Sequence, residues 1–518
     1  MHRTSLATLL TSAAILLAAP AHAQDGEEIL STVCAACHVQ GADGRYSRID
    51  DSRRTPEGWE MNVVRMMRNY GVPLNDDDFV AVVRHLSDTR GLSIAETEGY
   101  RYILEQEPNA SDQGPDQLMS ETCGRCHSYA RVALQRRTGD DWKKLINFHL
   151  GQYPSLEYQA LARDRDWWGI ANDQVLKNLT EAYVLGEAPA KADTDLSGEW
   201  RIAGRQPGRG AYDGTLTVAK EGDGYAVTER LTFADGTTEE RSGSAYLYGA
   251  GEWRAAMTSG ETRLREVMAL GADGSMAGRW FLRDQSAVGG RIHAVRGDGP
   301  AQILSVAPDH VKAGETVEMR ISGVGLSGDP VLPAGLTGEV VSSDATAVVL
   351  KVTAAADAAA GRGEIGIGET RLGDAVAVYA ALDRVSVEPP LTYSRIGGAD
   401  GPIPKQPATF DAVGWLNGAD GQPGTEDDIR VGVVPADWAI ADFNEVAATM
   451  KDAEFAGEID GNGVFHPADA GPNPERVMGT NNTGDLAVIA TVKDGETTLE
   501  GRGHLYATVQ RFVDTPIR

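Results

Sequence analysis

Hydrophobic and polar positions follow two different periods along this chain, and the change falls near Pro189. Before it, apolar residues recur three or four positions apart, as Phe79, Val82 and Leu86 do, so they share one face of a helix. After it, apolar and polar residues alternate in short segments such as 215–218, with glycine and aspartate turns between them, which is typical of strands. The pattern predicts a helical first part and a β-rich remainder.

The β-rich part divides into three predicted domains. Residues 195–298 carry the evenly spaced strands of a meander or barrel, and residues 300–383 and 384–518 each have the pattern of a two-sheet sandwich. A chain of 518 residues is long enough for three or four domains of roughly 100–200 residues each. With a helical domain at 24–190, the predicted fold class is one all-α domain followed by three all-β domains, one barrel-like and two immunoglobulin-like sandwiches.

The helical part contains an internal repeat, which predicts two tandem units at about 24–97 and 112–190. An Arg-Arg-Thr segment occurs at 53–55 and again at 136–138, and a tryptophan follows each threonine by four residues. The polar stretch 108–114 links the two units. The repeat gives a register in which each residue of one unit can be matched to its counterpart in the other.

Each unit also holds one C-x-x-C-H motif, and the two motifs use all four cysteines of the chain. They comprise Cys34, Cys37 and His38 in the first unit and Cys123, Cys126 and His127 in the second. In this pattern two thiolates add to the vinyl groups of a haem, and the following histidine ligates the iron. One match alone is compatible with a zinc site or a redox-active cysteine pair, whereas two matches favour covalent haem. The sequence therefore predicts a diheme cytochrome c domain with two covalently bound haem c groups and no disulfide.

The repeat register nominates the second axial ligand of each haem iron. Met66 lies seven residues after the first tryptophan and His149 seven residues after the second, so each continues an apolar stripe on its helix. Met67 is a rival to Met66, while His85 is disfavoured because it falls off the apolar face of its own helix. Core packing is the ordinary role of a lone methionine or histidine on such a face. The second iron has few other choices, since His149 is the only histidine between residues 128 and 292.

Residues 1–23 have the features of a secretory signal peptide. Arg3 precedes a short apolar stretch, and residues 21–23 form an A-x-A cleavage site. No later stretch has the roughly 18 consecutive apolar residues of a transmembrane helix, so we expect a periplasmic chain without a membrane anchor. The net charge of −27 argues against nucleic acid as a partner and favours basic proteins.

Two acidic loops near the C-terminus are candidate calcium sites. Residues 420–428 and 460–463 are rich in oxygen-bearing side chains, which suit Ca²⁺. Neither loop has the twelve-residue EF-hand pattern, and acidic surface turns are common in a chain this negative, so ordinary turns remain the alternative. No nucleophile, zinc-protease, Walker or dinucleotide motif is present in the sequence.

The order of these features resembles the alpha (large) subunit of quinohemoprotein amine dehydrogenase. The resemblance rests on the two C-x-x-C-H motifs, the repeated Arg-Arg-Thr and tryptophan segments, the positions of Met66 and His149, and the succession of a barrel and two sandwiches. It spans essentially the whole mature chain. It implies that this chain carries the haems while a propeller subunit and a small subunit bearing cysteine tryptophylquinone form the amine-oxidising site.

The expected function is therefore electron transfer within a periplasmic heterotrimer that deaminates primary amines oxidatively. Electrons would pass from the partner's quinone through two haems to a soluble acceptor such as a cytochrome c or a copper protein. This chain has no cysteine to spare for a quinone and no catalytic residue is assigned to it. Methionine favours ferrous iron more than imidazole does, so electrons are expected to run from the His127 and His149 haem to the His38 and Met66 haem.

Two other functions remain compatible with the sequence. A diheme peroxidase would be an enzyme in its own right and would need one five-coordinate haem. A stand-alone periplasmic diheme carrier would need no partner subunits, although the large β-rich part would then have no evident purpose.

Overall fold

The computed structural model describes residues 25–152, 166–398 and 404–509. The predicted signal peptide lies outside these residues. Helices dominate the part before residue 185, and most are short. Their bounds are α1 Gly26–Thr32, α2 Pro56–Tyr70, α3 Asp76–Thr89, α4 Ile94–Thr97, α5 Arg101–Leu104, α6 Gln117–Thr122, α7 Ala130–Ala133, α8 Gly139–Gln152, α9 Trp167–Ile170 and α10 Leu176–Ala182.

Local sequence fixes both ends of α2 and the start of α3, two helices of the first unit. Thr55 accepts a hydrogen bond from the amide of Gly58 at the start of α2, and proline follows at the first helical position, where its missing N–H costs nothing. Gly71 ends α2 in the left-handed conformation at φ 67°, which glycine adopts without strain. Asn75 accepts from the amide of Asp78 and begins α3.

A short antiparallel pair of strands joins the two units. Strand β1, Ser52–Arg54, and strand β2, Gln135–Arg137, pair so that Arg53 lies opposite Arg136. The repeated Arg-Arg-Thr segments are thus one structural element, and the threonine after each begins a long helix, α2 or α8. The predicted all-α fold of this domain is wrong, because a buried two-stranded sheet lies between its halves.

The middle of the chain forms a closed barrel of eight antiparallel strands in up-and-down order, with β10 pairing β3 to close it. Tryptophan, tyrosine and aliphatic side chains fill its interior. The strands are β3 Gly198–Gln206, β4 Gly210–Glu221, β5 Gly224–Phe233, β6 Thr238–Tyr248, β7 Glu252–Ser259, β8 Thr262–Leu270, β9 Met276–Leu282 and β10 Gly289–Arg296.

Two four-stranded sheets follow, ordered β11-β13-β16-β15 and β12-β18-β17-β14, and their facing side chains form one core. The strands are β11 Gln302–Ala307, β12 His310–Lys312, β13 Thr316–Val324, β14 Pro330–Val331, β15 Leu336–Ser343, β16 Ala347–Ala354, β17 Gly361–Ile367 and β18 Thr370–Tyr379.

The last part contains three sheets, ordered β19-β22-β23, β20-β28-β27-β24 and β21-β26-β25. The strands are β19 Arg384–Glu388, β20 Leu391–Arg395, β21 Ala408–Thr409, β22 Asp411–Leu416, β23 Ile429–Val433, β24 Asp437–Asp442, β25 Gly457–Ile459, β26 Val464–Pro467, β27 Gly484–Asp494 and β28 Thr497–Thr508. Between β24 and β25 lie two helices, α11 Glu445–Met450 and α12 Asp452–Phe455.

The predicted fold class, an all-α diheme cytochrome c domain followed by three all-β domains, is therefore wrong at both ends. Strands occur within the first part, and helices pack against β27 in the last. The structure is 43% strand and 22% helix, and most of its helices are short. A three-residue strand carries no readable alternation and a four-residue helix no readable period, so neither could be found from the hydrophobic pattern.

Buried ion pairs fix the haem-motif region to the barrel. Arg254 on β7 binds Glu57 of α2 at 2.6 Å and Glu252 at 2.8 Å, and Glu252 also accepts from Arg101 at 2.6 Å. The charges of the two glutamates overcome the effect of burial and raise the pKa of Arg254. The helix that follows the first Arg-Arg-Thr segment is thus anchored to a rigid barrel.

None of the helices in the described ranges combines the length and the apolar character that crossing a membrane requires.

Candidate haem sites

The first C-x-x-C-H motif lies where α1 ends. Ile29 and Leu30 of α1 are buried, and the chain then turns through a short 3₁₀ segment that begins at Cys34. The amides of Cys37 and His38 both donate to the carbonyl of Cys34, at 3.1 and 2.9 Å. This turn holds the two thiols and the imidazole close together, as attachment of one porphyrin requires.

The second motif follows directly after α6. The amide of Gly124 donates to the carbonyl of Met119 at 3.1 Å. A Cβ atom at Gly124 would lie 2.9 Å from the carbonyl oxygen of Ser120, so the turn needs glycine there. Arg125 lies over the ring of Trp167 at 5.2 Å. The aromatic pair that begins α9 therefore borders the second motif.

Backbone carbonyls select one tautomer in each candidate histidine ligand. The Nδ1 atoms of His38, His127 and His149 lie 2.8, 2.9 and 2.7 Å from the carbonyl oxygens of Ser47, Ser128 and Leu145. A carbonyl can only accept, so Nδ1 must carry the proton and Nε2 the lone pair. Such a hydrogen bond orients a ligating histidine and leaves its Nε2 for a metal.

His127 and His149 face each other across the second unit. Their ring centroids are 6.5 Å apart and the ring planes are inclined by 39°. Two imidazoles that each bond one metal at about 2 Å place their ring centroids roughly 6 Å apart. The gap therefore fits a haem iron between the rings. Sequence reasoning predicted both residues, and the fold brings them together.

Met66 and Met67 both lie on α2, and both are partly buried. Met67 packs against the apolar cluster that contains Trp59, Val63 and the half-buried Cys34. Met66 occupies the position that matches His149 in the repeat. His85 lies against α1: a Cβ atom added at Gly26 would be 2.5 Å from the Cβ of His85.

The tryptophans of the two units have matching environments. Trp59 Nε1 donates to the carbonyl of Arg90 at 3.0 Å, and Trp142 Nε1 donates to the carbonyl of Tyr183 at 3.1 Å. Each indole packs against the cluster beside its own haem motif, with Cys34 or with Cys123. The repeat found in the sequence is thus also a repeat of hydrogen bonds and packing.

Burial sets the protonation of the groups around the motifs. It raises the pKa of the Cys34 thiol, and it raises the pKa of the Cys123 thiol to about 11. It also lowers the pKa of His127, and the charge of Arg131 lowers it further. The thiols are therefore protonated and His127 is neutral near pH 7, which is the form of imidazole that binds a metal. None of the four cysteines, all of which lie in the described ranges, is in a disulfide.

The carboxylates of the two acidic loops are engaged by backbone amides and by an arginine. Asp427 accepts from the amides of Ala419 and Asp420, and Asp428 pairs with Arg384. Asp460 accepts from the amides of residues 462 and 464. In the described part of the chain, no group of three or more histidine, cysteine or acidic side chains is placed to hold a metal ion.

Four family models match successive parts of the chain, and all four describe the alpha subunit of quinohemoprotein amine dehydrogenase. The model for the haem-binding region matches residues 24–189, and those for domains II, III and IV match residues 193–297, 300–380 and 385–517. The chain belongs to this family. The resemblance inferred from sequence is confirmed. As an alpha subunit of quinohemoprotein amine dehydrogenase, the chain is a haem-binding part of an oxidoreductase complex with further subunits.

A comparison with curated proteins gives no match. Among solved structures, a redesigned β-barrel, b11L5F_LGL, is 14% identical over 19% of this chain and 87% of that one, with a TM-score of 0.17. Mouse clustered PcdhgC3 EC1-3 is 9% identical over 48% and 78%, with a TM-score of 0.18. Drosophila N-cadherin EC1-3 is 9% identical over 62% and 92%, with a TM-score of 0.19. These likenesses to the alpha subunit are too low to carry an argument.

Sequence reasoning used the Arg-Arg-Thr segments only as a register and missed the residue that links them. Glu96 binds Arg53 at 2.7 Å and Arg136 at 3.1 Å. Ser93 and Glu96 form a capping box at the start of α4, a pattern that is readable from sequence. The pattern identifies a helix start but not the arginines that the glutamate meets.

Proposed function

We propose that this chain is the electron-transfer subunit of a periplasmic quinohemoprotein amine dehydrogenase, with two covalently bound haem c groups. Oxidation of primary amines takes place on partner subunits, a propeller subunit and a small subunit bearing cysteine tryptophylquinone. Electrons leave to a soluble cytochrome c or copper protein. The observation that carries this proposal is the pair of facing rings of His127 and His149, 6.5 Å apart and each oriented by a backbone carbonyl.

The residues of each unit have separate roles in this proposal. Cys34 and Cys37, or Cys123 and Cys126, attach the porphyrin through thioether bonds, while His38 or His127 binds the iron from one side. The distal ligands are Met66 in the first unit and His149 in the second. Bound haem c supplies a one-electron couple at iron. Two ligands on each iron leave no position for oxygen or peroxide, which favours electron transfer over a reaction at the metal.

The division of labour between subunits follows from the cysteine count. A cysteine tryptophylquinone consumes a cysteine, and all four cysteines of this chain lie in the two C-x-x-C-H motifs. The quinone is therefore assigned to another chain. The barrel and the two β-rich parts that follow it provide surfaces for subunit contacts.

Haem attachment is tested by mass spectrometry of the denatured, secreted chain. We expect two haem additions on a chain that begins near Gln24. The double variant C34A/C37A should carry only the haem of the second motif, and C123A/C126A only that of the first. One addition or none in the unmodified protein contradicts the proposal.

Ligation is tested by optical and electron paramagnetic resonance spectra of His149→Ala. One of two low-spin ferric haems should become high-spin, because its iron loses a strong-field ligand. His85→Ala is the matched control, since it removes another partly buried histidine and should leave both signals unchanged. A native protein that already contains a high-spin haem would indicate a peroxidase.

The subunit role is tested by purifying the native protein. Two smaller chains should accompany this one through gel filtration, and one of them should be positive in a redox-cycling stain for quinones. A chain that elutes alone with both haems would indicate a stand-alone carrier.

A further inference from the structure

Arg54 on β1 is a buried cation without an acidic partner. Arg54 is 7% exposed. Its Nη1 donates to the side-chain oxygen of Gln135 at 2.9 Å, and its Nε has no hydrogen-bond partner. Among the described residues, no carboxylate lies within ion-pair distance of it. A buried guanidinium is strongly destabilising unless an anion or several acceptors satisfy it. The structure around Arg54 therefore calls for an anion.

The repeat shows what Arg54 lacks. Its counterpart Arg137 has the same stacking, 5.5 Å above Trp142 where Arg54 lies 5.6 Å above its own tryptophan. Arg137 also forms an ion pair with Asp141, four residues later in the chain. In the first unit the position of Asp141 is taken by Gly58, whose added Cβ would lie 3.0 Å from the Cβ of Arg54. The first unit therefore lacks the carboxylate that the second unit has at this position.

The charges around Arg54 are mostly positive. Burial lowers its pKa well below the usual value, and the nearby charges of Arg137 and Arg65 lower it further. Asp141 acts in the opposite direction, but that carboxylate is already bound to Arg137 and lies near Arg48 as well. The chain is strongly acidic, with a net charge of −27, yet no carboxylate of the described residues forms an ion pair with Arg54.

Arg54 lies between the walls of the two candidate haem sites. Its guanidinium stacks on Trp59, which packs in the cluster of Cys34. The side-chain oxygen of Gln135 accepts from Arg54 and also from Nε of Arg137, at 2.8 Å. Arg137 in turn stacks on a tryptophan that packs with Cys123. Arg54 is thus connected, through stacked and hydrogen-bonded side chains, to the apolar clusters beside both motifs.

We infer that Arg54 binds a propionate of a covalently attached haem. Each haem brings two carboxylates of its own into the protein, and a planar guanidinium binds a carboxylate through two parallel hydrogen bonds. The inference rests on the proposed haem attachment and goes beyond it, since it assigns a residue outside both motifs. The bound cation keeps the propionate ionised and offsets its negative charge beside the iron.

The test uses Arg54→Gln and Arg54→Lys in the full chain, with Arg53→Gln as the matched control. Arg53 is the neighbouring residue, equally buried, but its guanidinium binds Glu96 and the carbonyls of Gly91 and Gly186. Resonance Raman spectra report the bending mode of the propionates, and potentiometry at several pH values reports their ionisation. Mass spectrometry of the same samples reports haem content.

Both Arg54 variants should retain two haems and show a shifted propionate band, and R54Q should lower one haem potential and make it depend on pH between 5 and 8. R53Q should leave the band in place. The potential that moves, assigned by comparison with His149→Ala, identifies the haem that supplies the propionate. If R54Q does not fold, R54K decides alone, because it keeps the charge and loses the bidentate geometry. Unchanged bands with two haems present would overturn the inference, whereas missing haems in the unmodified protein would overturn the proposed function instead.

Discussion

Arg53 and Arg136 lie directly opposite each other in the antiparallel pair of β1 and β2. Like charges in this arrangement repel, and Glu96 offsets the repulsion by binding both guanidinium groups. Arg53 also donates to the carbonyls of Gly91 and Gly186. The contact between the two units is thus a buried charged cluster in which one carboxylate serves two arginines.

Replacing Glu96 with glutamine should weaken the contact between the units. Burial alone would raise the pKa of this carboxyl, but hydrogen bonds from Arg53 and the amide of Ser93 hold it at about 2, against a usual 4.5. A lowered pKa in the folded state contributes stability above pH 4.5, and that contribution is lost as the pH falls toward 2. At about 1.4 kcal/mol per pKa unit it is worth at most about 3.5 kcal/mol.

Urea unfolding at pH 7, 5 and 3 measures the effect. The wild type should lose stability between pH 5 and 3 by more than E96Q does, so the two curves converge in acid. Glu98→Gln, on an exposed neighbour, should follow the wild type. Parallel curves for E96Q and wild type would show that Glu96 does not hold the units together.

Met66→Ala and Met67→Ala should affect different properties, the first the optical spectrum of the haem and the second the stability of the fold. Met67 packs against the cluster of Trp59 and Val63, so its truncation should lower the free energy of unfolding by roughly 1–2 kcal/mol, below the range for a fully buried methionine. Met66→Ala should cost little stability but abolish the methionine-to-iron charge-transfer band of the ferric protein. A band lost from the Met67 variant instead would transfer the ligand assignment to Met67.

Arg241, inside the barrel, binds Glu239 at 2.7 Å and lies near two further carboxyls, those of Glu229 and Glu266, and this arrangement predicts how stability changes with pH. Glu229 and Arg241 are fully buried and lie 3.4 Å apart, and Glu266 accepts a hydrogen bond from Trp253 at 2.9 Å. Burial raises the pKa of both glutamates, and the charge of Glu229 raises that of Glu266 further. The folded state keeps a proton that the unfolded chain releases above pH 4.5, so stability falls as pH rises beyond that value.

Glu266→Gln removes this loss, because the amide needs no proton to stay neutral. The melting temperature of E266Q should therefore equal or exceed that of the wild type at pH 8, and the difference should shrink toward pH 5. Glu229→Gln is the matched comparison. It should be the less stable of the two variants at both pH values, since it removes one of the two carboxylates, Glu229 and Glu239, that pair with Arg241.

How far the sequence predicts this structure depends on the range of each interaction. The C-x-x-C-H motifs and the step from Trp142 to His149 are local, and the rings of His127 and His149 lie 6.5 Å apart, a separation that fits a metal between them. The pairing of β1 with β2 joins residues 81 positions apart, as between Arg54 and Gln135, through strands of three residues. No periodicity can reveal such short strands.

The barrel shows a second limit. Alternation marks its strands, but Glu229 and Arg241 occupy inward positions where the pattern expects apolar side chains. Their burial depends on each other and on Glu266 from a third strand. A polar residue that is satisfied only by a distant polar residue looks like a surface residue in the sequence. For the same reason, no local sequence pattern indicated that Arg54 lacks an acidic partner.

The two haems should differ in reduction potential in a fixed order. Methionine is a weaker donor than imidazole and favours ferrous iron, so the haem at His38 and Met66 should have the higher potential and the haem at His127 and His149 the lower. Within the proposed complex, electrons would then enter at the second unit and leave from the first.

Stepwise redox titration of the wild type beside Met66→Ala and His149→Ala assigns each wave, because each variant alters one ligand only. If the wave altered in His149→Ala proves to be the higher one, the order is reversed. The quinone-bearing partner would then have to contact the first unit, where the exposed Tyr70 ends α2, rather than the second.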